Sequence, residues 1–177
     1  MPEFVKSKIK TFADWPKPGV MFRDVMSLLK DVEGSNRAYD LLAERYKDNK
    51  PDVIVGIESR GFIFGSVLAH KLNVPFVPIR KPGKLPGETE FIDYKTEYST
   101  DRVEIQKGSI KPGVNVLVVD DLIATGGSML AGCNLVKKLG GKIMECCVII
   151  DLPDLKGSEK IQEAGYKVFK LINFEGE

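Results

Sequence analysis

Histidine is almost missing: His70 is the only one in 177 residues. It falls late in an expected helix and reads as a solvated or packing residue. A multi-histidine metal centre therefore lacks its ligands, and a Ser-His-Asp triad, which would have to use His70, is nearly excluded. Cysteine is scarce too. Cys133, Cys146 and Cys147 make an odd count, which fits a reducing, cytoplasmic compartment better than a disulfide framework. Cys146 and Cys147 are neighbours in an apolar run, so their side chains are expected on opposite faces of a strand, as small buried hydrophobes. No apolar run is long enough to cross a bilayer. Residues 1–10 lack the apolar core of a signal peptide. Repeats and low-complexity tracts are absent. An excess of one charge is also missing: 26 Lys and Arg stand against 25 Asp and Glu. No global field therefore draws the chain to nucleic acid or a membrane surface.

What is present suits one globular domain over residues 1–177. Apolar residues reach 43% and charged residues 29%, enough for a core and unlike a disordered chain. A chain of this length buries roughly 70% of its unfolded surface, so it needs no disulfide or structural metal.

The pattern alternates between strands and helices. Ser35 is expected to cap a helix whose apolar positions Ala38, Leu41, Leu42 and Tyr46 share one face. Val53–Ile57 reads as a buried strand, 61–72 as a helix, and 75–80 as a proline-weakened strand. Residues 81–87 are basic and turn-rich, and 89–106 suggest a hairpin. A strand over 114–119 is expected to lead to a helix over 128–139 that ends at Gly140-Gly141. A strand over 143–150, a helix over 158–164 and a strand over 166–172 complete the chain. Such an order predicts an α/β fold with a mostly parallel sheet. Ligands then sit outside the carboxyl ends of the strands, which points to residues 58–60, 80–81 and 120–121.

The stretch from Val116 to Ser128 carries the chemistry. Four apolar residues are followed by Asp120 and Asp121, then by Leu122, Ile123, Ala124, Thr125, Gly126, Gly127 and Ser128. Glycines let backbone N–H groups close around an anion, and the helix that follows adds the positive end of its dipole. Thr125 and Ser128 add hydroxyl donors. There is no Gly-Lys-Ser/Thr of a P-loop and no G-x-G-x-x-G spacing, so a single phosphate monoester is the natural cargo. The paired carboxylates can accept from a ribose 2′,3′-diol and offset positive charge developing at C1′.

This stretch closely resembles the signature with which type I phosphoribosyltransferases hold 5-phosphoribosyl 1-pyrophosphate (PRPP). Residues 18–24, 58–62, 80–87 and the pair Glu97-Tyr98 are similar, in the same order, to the adenine-specific members of that family. The resemblance implies a twisted, mostly parallel sheet flanked by helices. It adds a flexible hood over about 81–107 and a base-covering segment over about 1–34. It implies transfer of 5-phosphoribose from PRPP to N9 of adenine, giving AMP and pyrophosphate in purine salvage, with Mg²⁺ carried by PRPP. A homodimer is implied, with Arg80 reaching toward the partner's site.

By the same resemblance, Asp120, Asp121 and Ala124 to Ser128 hold the ribose and its 5′-phosphate. Glu58, Ser59, Arg60, Arg80, Lys81, Lys84 and Tyr98 surround pyrophosphate, and the Glu58–Ser59 peptide is cis. The backbones of Met21 and Arg23 read the adenine edge, with Phe22 and Leu122 as apolar faces. Glu97 handles the purine proton, or Asp121 does so instead. Two rival readings share the PRPP site. One is transfer to hypoxanthine, guanine, xanthine or orotate; the other is a non-catalytic PRPP-sensing regulator, which should bring a basic face or an added DNA-binding domain.

Overall fold

A computed structural model describes residues 1–96 and 99–176. The chain opens with α1 (Pro2–Ser7), β1 (Lys10–Ala13), β2 (Met21–Asp24), α2 (Val25–Lys30) and α3 (Val32–Tyr46). Next come β3 (Val53–Ile57), α4 (Arg60–Leu72), β4 (Phe76–Ile79), β5 (Thr89–Lys95) and β6 (Thr100–Gln106). The last elements are β7 (Asn115–Ile123), α5 (Gly127–Lys138), β8 (Lys142–Asp151), a 3-10 turn at Pro153–Leu155, α6 (Gly157–Glu163) and β9 (Val168–Asn173).

Five strands form one parallel sheet in the order β4-β3-β7-β8-β9. Both faces are covered, which is why β3, β7 and β8 read as continuous apolar runs instead of alternating ones. On one face Leu117, Val119, Cys147 and Ile149 pack with Leu42 of α3 and with Phe64 and Leu68 of α4. On the other, Val116, Val118, Cys146 and Val148 pack with Cys133, Leu135 and Val136 of α5. Cys146 and Cys147 thus lie on opposite faces, as a period of two requires.

From β3 the chain moves outward to β4, then returns to the other side of β3 and continues outward through β7, β8 and β9. The strand order therefore reverses between β3 and β7. A crevice opens at the carboxyl ends of strands at such a point.

β5 and β6 pair antiparallel, with Asp93 opposite Arg102. The base of this hairpin is anchored. Val103 and Ile105 are buried in the second core, and Arg80 and Glu104 exchange backbone hydrogen bonds at 2.9 and 2.8 Å. The hairpin thus hangs from the edge strand β4.

Three local expectations change. The cap of α3 is Asp31, whose carboxylate accepts from the Gly34 amide at 2.7 Å. Ser35 lies inside the first turn, buried, and donates to the Val32 carbonyl. An ionised acid at the cap also meets the helix dipole, which a serine does not. β7 does not stop at Val119 but runs through both acids to Ile123, because β8 continues beside it as far as Asp151. Finally, β9 starts at Val168, two residues after the expected Tyr166.

Candidate active site

Two strand ends build the site. After Ile57, the end of β3, the chain passes through a cis peptide between Glu58 and Ser59 and starts α4 at Arg60. Beside it β7 delivers Asp120 and Asp121, and Ala124 to Gly126 lead into α5. Together they enclose a cleft of 240 Å³. Glu58, Ser59 and Arg60 line it from one strand; Asp120, Asp121, Leu122 and residues 124–128 line it from the other.

Two glycines make this approach possible. A Cβ at Gly61 would stand 2.8 Å from the Val119 carbonyl oxygen and 3.1 Å from Asp120 Oδ1, so only glycine lets α4 start against β7. Gly126, the N-cap of α5, has φ +85°, in the left-handed region that glycine enters without steric cost.

The two aspartates have different surroundings. Asp121 is 4% exposed, and the Arg60 guanidinium donates from Nε to its Oδ2 at 2.5 Å. The pairing holds the Arg60 guanidinium firmly charged. Asp120 accepts the Asp121 amide at 2.8 Å. Burial pushes its carboxyl well above the usual carboxylate range, and the negative charge of Asp121 pushes it further.

The end of the cleft at α5 is equally defined. Among the described residues, no acid sits in the first turn of α5 and no side chain caps it. Its leading N–H groups therefore remain open at the positive end of a twelve-residue helix. Ser128 Oγ lies 3.4 Å from the Tyr94 hydroxyl of β5. The Tyr94 ring covers Gly127, where a Cβ would stand 3.4 Å from it. Amides, hydroxyls and paired carboxylates thus meet in one cleft, suited to a phosphorylated sugar.

Comparison with known proteins agrees with this chemistry. A model of the phosphoribosyl transferase domain matches residues 27–176. An adenine phosphoribosyltransferase of Methylobacillus flagellatus is 54% identical over 171 residues, 97% of each chain. The crystal structure of adenine phosphoribosyltransferase from Thermoanaerobacter pseudethanolicus is similar with a TM-score of 0.93 at 42% identity, covering 98% of this chain and 100% of that one. That of the Giardia lamblia enzyme, complexed with 9-deazaadenine, has a TM-score of 0.92 at 35% identity, covering 99% and 98%.

The chain belongs to the adenine phosphoribosyltransferase family.

Of the residues singled out for an adenine phosphoribosyltransferase, Glu58, Ser59, Arg60, Asp120, Asp121, Leu122, Ala124, Thr125, Gly126, Gly127 and Ser128 share the cleft. Arg80, Lys81 and Lys84 gather instead on the Glu58 carboxylate. Lys84 Nζ donates to it at 2.8 Å, the Lys81 amide at 2.7 Å and Arg80 Nη2 at 3.3 Å. Burial alone would push the Glu58 carboxyl up; these donors outweigh it and hold the group down at about 2.

Met21, Phe22 and Arg23 lie in the β1–β2 ribbon. Phe22 meets Trp15 edge to face at 4.5 Å. Arg23 donates to Thr11 Oγ1 and to the Glu175 carbonyl, both at 2.9 Å. Glu97 and Tyr98 lie outside the described residues.

Two contributors escaped the sequence reading. Tyr94 shares with Ile92 the inner face of the hairpin, against the second core, and alternation along β5 could have placed it there. Gly157, at the start of α6, touches the back of the 124–126 loop. Its partners lie some thirty positions away, and no local pattern announces them.

Proposed function

We propose that the cleft between β3 and β7 carries out phosphoribosyl transfer from PRPP to adenine, with the roles below. The reaction gives AMP and pyrophosphate. One observation carries the reading: Asp120 and Asp121 share a cleft with the open N-terminus of α5, and Arg60 faces them.

The 5′-phosphate binds the amides of residues 124–128 with the Thr125 and Ser128 hydroxyls, where the helix dipole favours a dianion. Asp120 and Asp121 accept from the ribose hydroxyls. As the C1′–O bond to pyrophosphate breaks, positive charge grows at C1′, and the negative charge carried by the aspartate pair stabilises it. The N9–C1′ bond forms and the N9 proton leaves, to Glu97 or to Asp121. Asp121 already holds Arg60, which favours Glu97 for the proton.

Arg60, Arg80, Lys81 and Lys84 receive the leaving pyrophosphate, together with Ser59 and Tyr98. Arg80 supports this role: its Nε is buried with no hydrogen-bond partner among the described residues, a donor open to an incoming anion or to a second chain. Mg²⁺ entering with PRPP would offset charge on the pyrophosphate. The cleft's carboxylate oxygens are hard donors that fit it, and the ion takes most of its ligands from substrate and water.

Adenine lies against β2. Among the described residues β2 pairs with no strand but β1, which supports its reading as the strand that meets the purine edge. A backbone carbonyl of Met21 or Arg23 can accept from the 6-amino group. A 6-oxopurine presents an acceptor there and leaves that carbonyl unpaired, at about 1–3 kcal/mol. The 9-deazaadenine complex of the Giardia neighbour supports an adenine pocket. A hood over 81–107, a base-covering segment over 1–34, a homodimer and a cytoplasmic location belong to the same reading. Three buried free cysteines support a reducing compartment.

The test is direct. The protein is incubated with PRPP, Mg²⁺ and each of adenine, hypoxanthine, guanine, xanthine and orotate, and pyrophosphate release is followed. Turnover with adenine, exceeding each other base by at least about 10³-fold, is expected where a site must pair a specific polar group. Turnover confined to 6-oxopurines rejects the base assignment, and tight PRPP binding without turnover favours a sensor.

A further inference from the structure

Asp151 ends β8 at the same edge of the sheet as the cleft and is fully buried. Both of its carboxylate oxygens are taken. Ser158 Oγ donates to Oδ1 at 2.6 Å and Lys170 Nζ to Oδ2 at 2.6 Å. None of the three residues touches the cleft, and the transfer chemistry does not use them. A buried carboxylate is tolerated only when so satisfied. The arrangement therefore fixes Ser158, itself 4% exposed, in the first turn of α6.

The residue before Ser158 explains what this anchoring does. A Cβ on Gly157 would overlap the Ala124 carbonyl oxygen and stand 2.8 Å from the Gly126 nitrogen. Conversely, a Cβ on Gly126 would stand 2.8 Å from the Gly157 carbonyl oxygen. The backbone at Gly157 is thus the wall on which the phosphate loop rests. Before it, Lys156 is held at φ +56°, a left-handed conformation that a non-glycine residue keeps only where its surroundings impose it. The Lys156 amide donates to the Pro153 carbonyl at 2.9 Å, and two residues on the Ser158–Asp151 bond anchors the chain that leaves it. Without the wall, a loop containing two successive glycines can turn its amides away from the phosphate.

We infer that Ser158, held by Asp151 and Lys170, is a positioning residue that sets the 124–128 loop for a ribose 5′-phosphate through the Gly157 backbone. The inference rests on the reading of that loop as the 5′-phosphate site. It separates the two substrates: PRPP depends on Ser158, and adenine does not.

Ser158→Ala tests this. The dissociation constant of ribose 5-phosphate is measured by calorimetry, and KM for PRPP and for adenine by turnover. The first two should rise about fivefold, the loss of one hydrogen bond's worth of preorganisation, while KM for adenine stays within about twofold of wild type. Ser158→Thr, which keeps the hydroxyl, should restore both. A merely structural role would move the two KM values together, and that result overturns the inference. So does unchanged ribose 5-phosphate affinity in Ser158→Ala beside normal binding by wild type, an outcome that leaves the phosphate-site reading standing. Failure of wild type to bind ribose 5-phosphate overturns both. Should Ser158→Ala not fold, Ser158→Cys, similar in shape but a weak donor, takes its place with the same expected split.

Discussion

Asp120 and Asp121 are adjacent, chemically identical and placed in different states by their neighbours. Asp121 is paired with Arg60; Asp120 is pushed toward its protonated form by burial and by the charge beside it. Asparagine mimics a protonated aspartate closely. Asp120→Asn is therefore expected to cost less than about tenfold in kcat/KM for PRPP. Asp121→Asn should cost about 10²–10³-fold, the scale on which a preorganised charge at a reacting centre matters. Steady-state kinetics check this, and a larger loss for Asp120→Asn would reject the assignment. The same shift has a consequence for stability. An acid whose folded value is raised lets the unfolded chain ionise first, so folding loses free energy as pH rises above 3.8. Asp120→Asn should therefore raise Tm at pH 7 and leave it unchanged near pH 3. The acids themselves were legible in the sequence, since two carboxylates after a buried run demand a purpose. Their inequality was not, because it comes from burial on folding and from Arg60, 61 positions away.

Elements differed in how openly the sequence announced them. β3, β7, β8, α4 and α5 were legible because burial on both faces leaves unbroken apolar runs, and helix faces repeat at 3.6. The N-terminal α1, β1, β2 and α2 were not resolved as elements. They are four to six residues long, too short to show a period, and β1 is exposed along its whole length. The hairpin was expected, but its docking was not. Tyr94 sits on Gly127 mainly through its ring, and its hydroxyl is a distant 3.4 Å from Ser128, near the limit of a useful hydrogen bond. Tyr94→Phe should thus keep kcat within about twofold, while Tyr94→Ala, which removes the aromatic contact, should lower it about tenfold or more. Turnover of the two variants under saturating PRPP and adenine decides between them. Equal damage from both would mean that the hydroxyl, not the packing, joins the hairpin to the 124–128 loop.

At the scale of the molecule, two apolar cores clamp one sheet, and the proposed site occupies only the rim where β3 and β7 end. Binding and folding should then be separable free energies. Leu42 of α3 is fully buried on the face opposite α5 and does not line the cleft. Leu42→Ala leaves a cavity worth about 2–5 kcal/mol. At about 2–4 °C per kcal/mol for a chain of this size, Tm should fall by ~5–20 °C. PRPP with Mg²⁺ at about 100 times its Kd adds ~2.7 kcal/mol to any state that binds it. If the rim is carried rigidly, wild type and Leu42→Ala gain the same ligand increment, because distant sites add within about 0.5 kcal/mol. Thermal melts of both proteins with and without PRPP measure the two increments. A much smaller rise in the variant would show that a cavity under α3 reaches the strand ends, and that the core does more than hold the site in place.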